Sequence, residues 1–95
     1  MSRKAPDNRY HQTKEVVYLA WRVPRERAGH IQHILEAHDN LCVCTTRAPD
    51  PALPETRDMV TYAPIEWEGE LRRVWDGIAK RIPVLKIEDR TLRDD

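Results

Sequence analysis

His30, His33 and His38 at helical spacing, followed by Cys42 and Cys44, carry the donor atoms of a zinc or copper site. The placement argues against one. His30 and His33 stand three apart on one helical turn, whereas alternation along the following strand sends Cys42 and Cys44 to the sheet face turned away from the helices. The two sets then fall on opposite sides of the layer, so they read as surface histidines and packed thiols, with no metal and no cofactor. As nucleophiles the cysteines have no neighbouring base and lie mid-strand rather than at a helix amino terminus, so they read as inert. A bridge between them is also excluded, because two side chains on one strand at that spacing sit farther apart than a relaxed disulfide spans.

Arg22, Arg25 and Arg27 gather where the first strand enters the first helix, close to helix amides, a set that suits a carboxylate or phosphate. Glu26 interrupts the cluster and Pro24 removes one donor, so solvated charges are the plainer reading. Arg22 and Arg25 are kept as candidate contacts for a small anionic ligand. Tyr18 on a sheet face invites base stacking, but the third strand shows neither the aromatic pair nor the glycines of an RNA-recognition motif, which argues against nucleic acid. No glycine-rich phosphate loop and no carboxylate pair on rigid elements is present, so nothing in the residues supports an enzyme.

The bulk properties agree. Sixteen Lys and Arg balance sixteen Asp and Glu, leaving no net field to gather a polyanion or an anionic membrane. The longest apolar run, Val16 to Trp21, is far short of a membrane span, and the first residues carry no signal-peptide core, which places the chain in the cytosol. Two cysteines make no disulfide framework. Ninety-five residues suffice for one domain with one modest core.

These residues need elements to hold them. Residues 1–14 show no hydrophobic period and read as a flexible tail. Val16 to Trp21, unbroken and rich in β-branched and aromatic side chains, is a strand covered on both faces or sheltered on the second. Pro24 opens a helix over 24–38 with Ala28, Ile31, Ile34, Leu35 and His38 on one side, ended by Asp39 and Asn40. Leu41 to Thr46 is the second strand, and the proline-rich stretch 47–57 a long hairpin loop. Asp58 to Ala63 is the third strand. Pro64 opens a second helix with an apolar stripe of Leu71, Val74, Trp75, Ile78 and Ile82, and Pro83 stops it. Val84 to Ile87 is the fourth strand, and 89–95 a charged tail. No internal repeat is evident.

Two β-α-β units joined by a hairpin predict an α+β, ferredoxin-like sandwich over 15–88, with a four-stranded antiparallel sheet and two helices on one face. Right-handed crossovers put strands one and three in the centre. Alternation assigns Val17, Leu19, Trp21, Leu41, Val43, Leu85 and Ile87 to the helices, leaving Val16, Tyr18, Ala20, Cys42, Cys44, Thr46 and Val84 on the other face. That face is nearly uncharged, so a cover is expected. A second copy of the chain, making a homodimer, is the simplest; the tail or the 47–57 loop are the alternatives.

Read together, the first strand, the Pro24-Arg25 helix entry, the segment Ile34-Leu35-Glu36-Ala37-His38-Asp39-Asn40-Leu41 and the Thr46-Arg47 exit resemble a family of small bacterial domains of unknown function, over roughly residues 15 to 87. The element order more loosely resembles the ACT domains, amino-acid-sensing modules that bind ligands at domain interfaces near the first strand-to-helix turn. Arg27-Ala28-Gly29 approximates the Arg-Pro-Gly of that turn, with Gly29 displaced toward the helix. Taken with the open face and the arginine cluster, the reading is a non-catalytic, self-associating module of ACT-like type that binds a small ligand or regulates, with Val16, Tyr18, Ala20, Arg22, Arg25, Cys42 and Cys44 at the ligand or the interface. A protein-interaction or RNA-associated accessory domain is the alternative.

Overall fold

The first strand is longer than its apolar core. A computed structural model describes residues 15–38 and 41–93, and in it β1 runs Glu15–Pro24, flanked by β3 (Thr56–Pro64) and β4 (Leu85–Arg93). Arg22 does not end the strand, because it pairs across to Asp58 on β3 and so brings its counter-charge into the sheet. With β2 (Val43–Thr46) the sheet order is β2-β3-β1-β4, every neighbouring pair antiparallel. The helices α1 (Ala28–Glu36) and α2 (Glu68–Ala79) complete the expected ferredoxin-like arrangement.

Pro24 and Pro64 do not sit inside helices as expected. Each is the extended last residue of a strand, with ψ of 136° and 150°, followed by a single 3₁₀ turn, Arg25–Arg27 or Ile65–Trp67, before the α-helix. Their fixed φ suits this exit, and the missing N–H falls where the ladder is ending. The two passages share a pattern that the sequence reading overlooks: Pro24, Glu26 and Gly29 recur forty residues later as Pro64, Glu66 and Gly69, and Ile31, Ile34 and Leu35 as Leu71, Val74 and Trp75. In the β1–β3 register Ala20 faces Val60, again forty apart, so the chain's two halves are related by a local twofold axis through that pair.

The core lies between sheet and helices. Val17, Leu19, Trp21 and Val23 of β1 meet Met59 and Ala63 of β3, under Ile31 and Leu35 of α1 and the predicted α2 stripe, all buried. The Trp21 and Trp75 rings stack at 4.9 Å and 9°. Thr61, buried among them, donates its hydroxyl to the Leu19 carbonyl at 2.9 Å and accepts the Trp75 Nε1–H at 3.0 Å. One side chain thus satisfies a buried indole donor and ties α2 to the sheet centre.

The outer strands are phased differently from expectation. Leu41 and Cys42 pack on the core before β2 begins, and the ladder then matches Cys44 to Thr61 and Thr46 to Met59. Cys42 and Cys44 therefore pack on the helix side and Thr46 shares that face, while Val43 turns to the open face. Counting alternation from Leu41, which lies outside the strand, shifts the phase by one residue. On β4 the same error arises at Val84, which packs on the core, and a bulge beside Ala20 and Trp21 adds a second phase change at Ile87. Leu85 consequently pairs with Arg22 on the open face, 60% exposed. The segment expected as a charged tail is strand as far as Arg93. Residues 1–14, the helix-ending pair Asp39 and Asn40, and 94–95 lie outside the described residues.

Replacing Thr61 by Val keeps the shape but leaves the Trp75 indole N–H buried and unpaired, at a cost of about 1–3 kcal/mol. Thermal unfolding should show Tm falling by roughly 4–8 °C per kcal/mol, with Thr61→Ser, which keeps the hydroxyl, losing distinctly less. Equal losses would show that the hydroxyl is not what matters.

Candidate interaction face

The strand registers order the open face into rows. Leu92, Val16 and Pro64 form the first across β4, β1 and β3; Arg90, Tyr18, Tyr62 and Val43 the second; Glu88, Ala20, Val60 and Thr45 the third; Leu85, Arg22 and Asp58 the fourth. Arg47, just past β2, donates its backbone N–H to the Asp58 carbonyl at 2.9 Å and so extends the fourth row.

The axis through Ala20 and Val60 divides this surface into unlike halves. Beyond it on one side, Arg22 donates from Nε and Nη2 to the two Asp58 carboxylate oxygens at 2.9 and 3.2 Å. Arg47 lies within 3.7 Å of the same carboxylate, donates to the Tyr18 hydroxyl at 3.0 Å and pairs with Glu88. Arg47 from the β2 end of the sheet and Glu88 from β4 therefore reach toward each other over the two central strands, with the Tyr18 hydroxyl between them. These side chains, together with Arg22, explain why Ala20 is 0% and Val60 only 6% exposed on a face with no helix over it among the described residues. The expectation of a nearly uncharged face fails here: Glu88, Arg90 and Asp58 come from segments assigned to a tail or left without a face, and Arg47 from a loop.

On the other side the face is aromatic and apolar. The Tyr18 and Tyr62 rings lie 6.5 Å apart and nearly parallel, with the Arg90 guanidinium 4.9 Å from the Tyr18 ring centre. Tyr62, Val43 and Leu92 are 37%, 49% and 39% exposed, and with half-buried Val16 they make an apolar strip from one sheet edge to the other. Tyr62 on the third strand is an aromatic partner for Tyr18 that was not singled out from sequence. Its signal was present, in a run Val60-Thr61-Tyr62 that alternates about a buried Thr61.

Of the predicted contacts, Val16, Tyr18, Ala20 and Arg22 share this face. Cys42 and Cys44 do not. Arg25 sits in the 3₁₀ turn after β1, half-exposed and 3.9 Å from Glu55. A shallow cleft of about 380 Å³ at that end is lined by Arg22, Val23, Pro24, Thr56, Val84 and Leu85 among others. Its guanidinium is already taken by Asp58, which lowers its appeal to an anion.

The two thiols and two of the carboxylates are each held in one protonation state. Burial pushes both thiols up to about 11, with the Cys42 neighbour and Glu36 adding to the rise at Cys44. The hydrogen bond from Arg22, and then its charge and that of Arg47, hold Asp58 below the usual carboxylate range against some desolvation. Arg72, joining Glu68 to Asp89, and Lys86 likewise hold Asp89 low. Among the described residues no three His, Cys, Asp or Glu side chains cluster as metal ligands. Cys42 and Cys44 lie on the same side of the sheet as the histidine-bearing helix, contrary to the opposite sides expected from alternation.

No family model matches the chain, and no curated protein does. Among solved structures it is similar to a de novo designed protein, Foldit4, at 20% identity and a TM-score of 0.50, over 85% of this chain and 98% of that one. The likeness concerns the fold alone. No helix among the described residues is long and apolar enough to cross a membrane.

Two measurements follow from these protonation states. Alkylation by iodoacetamide at neutral pH should be about a hundredfold slower in the native protein than in urea, as a thiol raised from 9.0 to about 11 requires; equal rates would show the thiols to be ordinary. For Asp58 the folded value lies below the unfolded one, so its contribution to stability is full above the ordinary carboxylate value of about 3.9 and is lost as pH falls through the folded value. Asp58→Asn should therefore lower Tm at neutral pH and flatten its acid limb.

Proposed function

We propose that the protein is a non-catalytic, self-associating binding module that pairs through the aromatic half of its open sheet face. The observation that carries this reading is the exposed strip of Leu92, Val16, Tyr62 and Val43, which crosses all four strands with no part of the described chain over it. The charge of the face selects the partner. Arg22, Arg47 and Arg90 stand against Asp58 and Glu88, four of the five already engaged in ion pairs. Such near balance suits a second copy, which presents both signs in the same proportion, and gives a polyanion little to hold.

The non-catalytic part of the reading is supported by the state of the groups that could do chemistry. The thiols are held protonated by burial, and the carboxylates of the open face are committed to guanidinium partners. A small anion at Arg22 would have to displace Asp58, so association is the better-supported activity. The element order is one that an ACT-like module would share, and binding at an interface is what such a module would do.

Light scattering coupled to size exclusion should return a dimer at micromolar concentration. Tyr62→Glu, placing a charge at the centre of the strip, should return a monomer with an unchanged circular dichroism spectrum. A native protein that stays monomeric ends the proposal, and so does salt-sensitive binding of a single-stranded oligonucleotide that Tyr62→Glu abolishes in such a monomer, which would give the face to nucleic acid.

A further inference from the structure

The helical side carries a second surface that self-association through the sheet would leave open. A groove of about 410 Å³ runs between α1 and α2. Its floor is apolar, formed by half-buried Ile34 from α1 and by the outer edges of the core residues Val74, Ile78 and Ile82 from α2 and the turn that follows it. Its rim is cationic. Arg73 is neutralised by Glu70 one turn away on the same helix, but Arg27 and Arg81, both exposed, have no carboxylate partner among the described residues. Because β1 and β3 are antiparallel and each is followed by its helix, α1 and α2 run in opposite directions. The start of one and the end of the other therefore meet, bringing Arg27 and Arg81 to the same end of the groove.

The wall between them holds an otherwise unexplained residue. Gly77 lies in the interior of α2, where glycine costs roughly 1 kcal/mol relative to alanine, yet a Cβ there would meet no atom within 4 Å and its backbone is not left-handed. Nothing in the fold requires it. Gly29 and Gly69 share that freedom, but they sit in the first turns of their helices, away from the groove lining. The effect of Gly77 is to keep the α2 wall low where a docking chain would pass.

We propose that this groove receives an acidic amphipathic helix of a partner protein, its apolar side chains against Ile34, Val74 and Ile78 and its carboxylates at Arg27 and Arg81. A third helix laid between two is a packing that needs only an apolar stripe at helical spacing, which the floor matches. Uncompensated cations on the rim set the sign of the partner. A compact ligand is disfavoured, since Arg27 and Arg81 stand exposed on the rim instead of lining an enclosed cavity.

The test uses a short labelled peptide with leucines at helical spacing and glutamates elsewhere, beside the same peptide with lysines, and reads fluorescence anisotropy on the full chain. The glutamate peptide should bind at least roughly tenfold more tightly, and Arg27→Glu with Arg81→Glu should reverse the preference. Gly77→Leu fills the groove while replacing glycine with a better helix former, so Tm should hold or rise as binding is lost. No binding at millimolar protein, equal binding of the two peptides, or binding that survives Gly77→Leu overturns the proposal.

Discussion

The hydroxyl of Thr61 occupies the one place where sheet, helix and both buried tryptophans meet. It must be polar, because the Trp75 indole N–H is buried beside it, and it must be small, because Trp21 and Trp75 stack in the space next to it. By bonding onward to the Leu19 carbonyl it fixes how α2 sits over the two central strands. The position of α2 in turn sets one wall of the interhelical groove, and the register of β3 against β1 sets which residues face the other way. Both candidate surfaces therefore depend on the same buried contact.

The local twofold axis gives the open face its character. Equivalent halves of a βαβ sandwich supply equivalent backbone positions, and here they are filled with opposite chemistry: a tyrosine pair on one side of Ala20 and Val60, an arginine and an aspartate on the other. The polar half covers itself, with Arg47 reaching over the small residues in the centre. Among the described residues nothing covers the aromatic half. A face that in sequence looked uniformly in need of a cover thus needs one over only half its area.

Most of the fold was legible because the inner elements carry redundant signals. The stripe Leu71, Val74, Trp75, Ile78 and Ile82 has a single helical reading, and β1 is apolar enough to be central under any phase. The outer strands offered less. β2 pairs over only four residues, and Leu41, buried, and Val84, partly buried, pack on the core ahead of their strands in a way that alternation cannot anticipate. An edge strand in which Glu88, Asp89, Arg90 and Arg93 follow one another looks like a solvated tail until its partners are known. The site suffered accordingly: Val16, Tyr18, Ala20 and Arg22 could be placed from the phase of β1, but Arg47, Asp58, Glu88 and Arg90 reach the face through tertiary pairing. Tyr62 was recoverable by applying to the third strand the alternation that had been applied to the first.

The irregularity in β4 bears on what kind of assembly is possible. β4 is the longer of the two outer strands, nine residues beside the four of β2, and its far side is where another chain would add by extending the sheet. The bulge throws its hydrogen-bonding groups out of step midway, and the run of charged side chains puts like charges opposite each other in many registers of a copy laid alongside. Growth along the sheet, the route to open-ended fibres, is thereby obstructed. The proposed contact through the face would consume the apolar strip on both partners at once and stop at two.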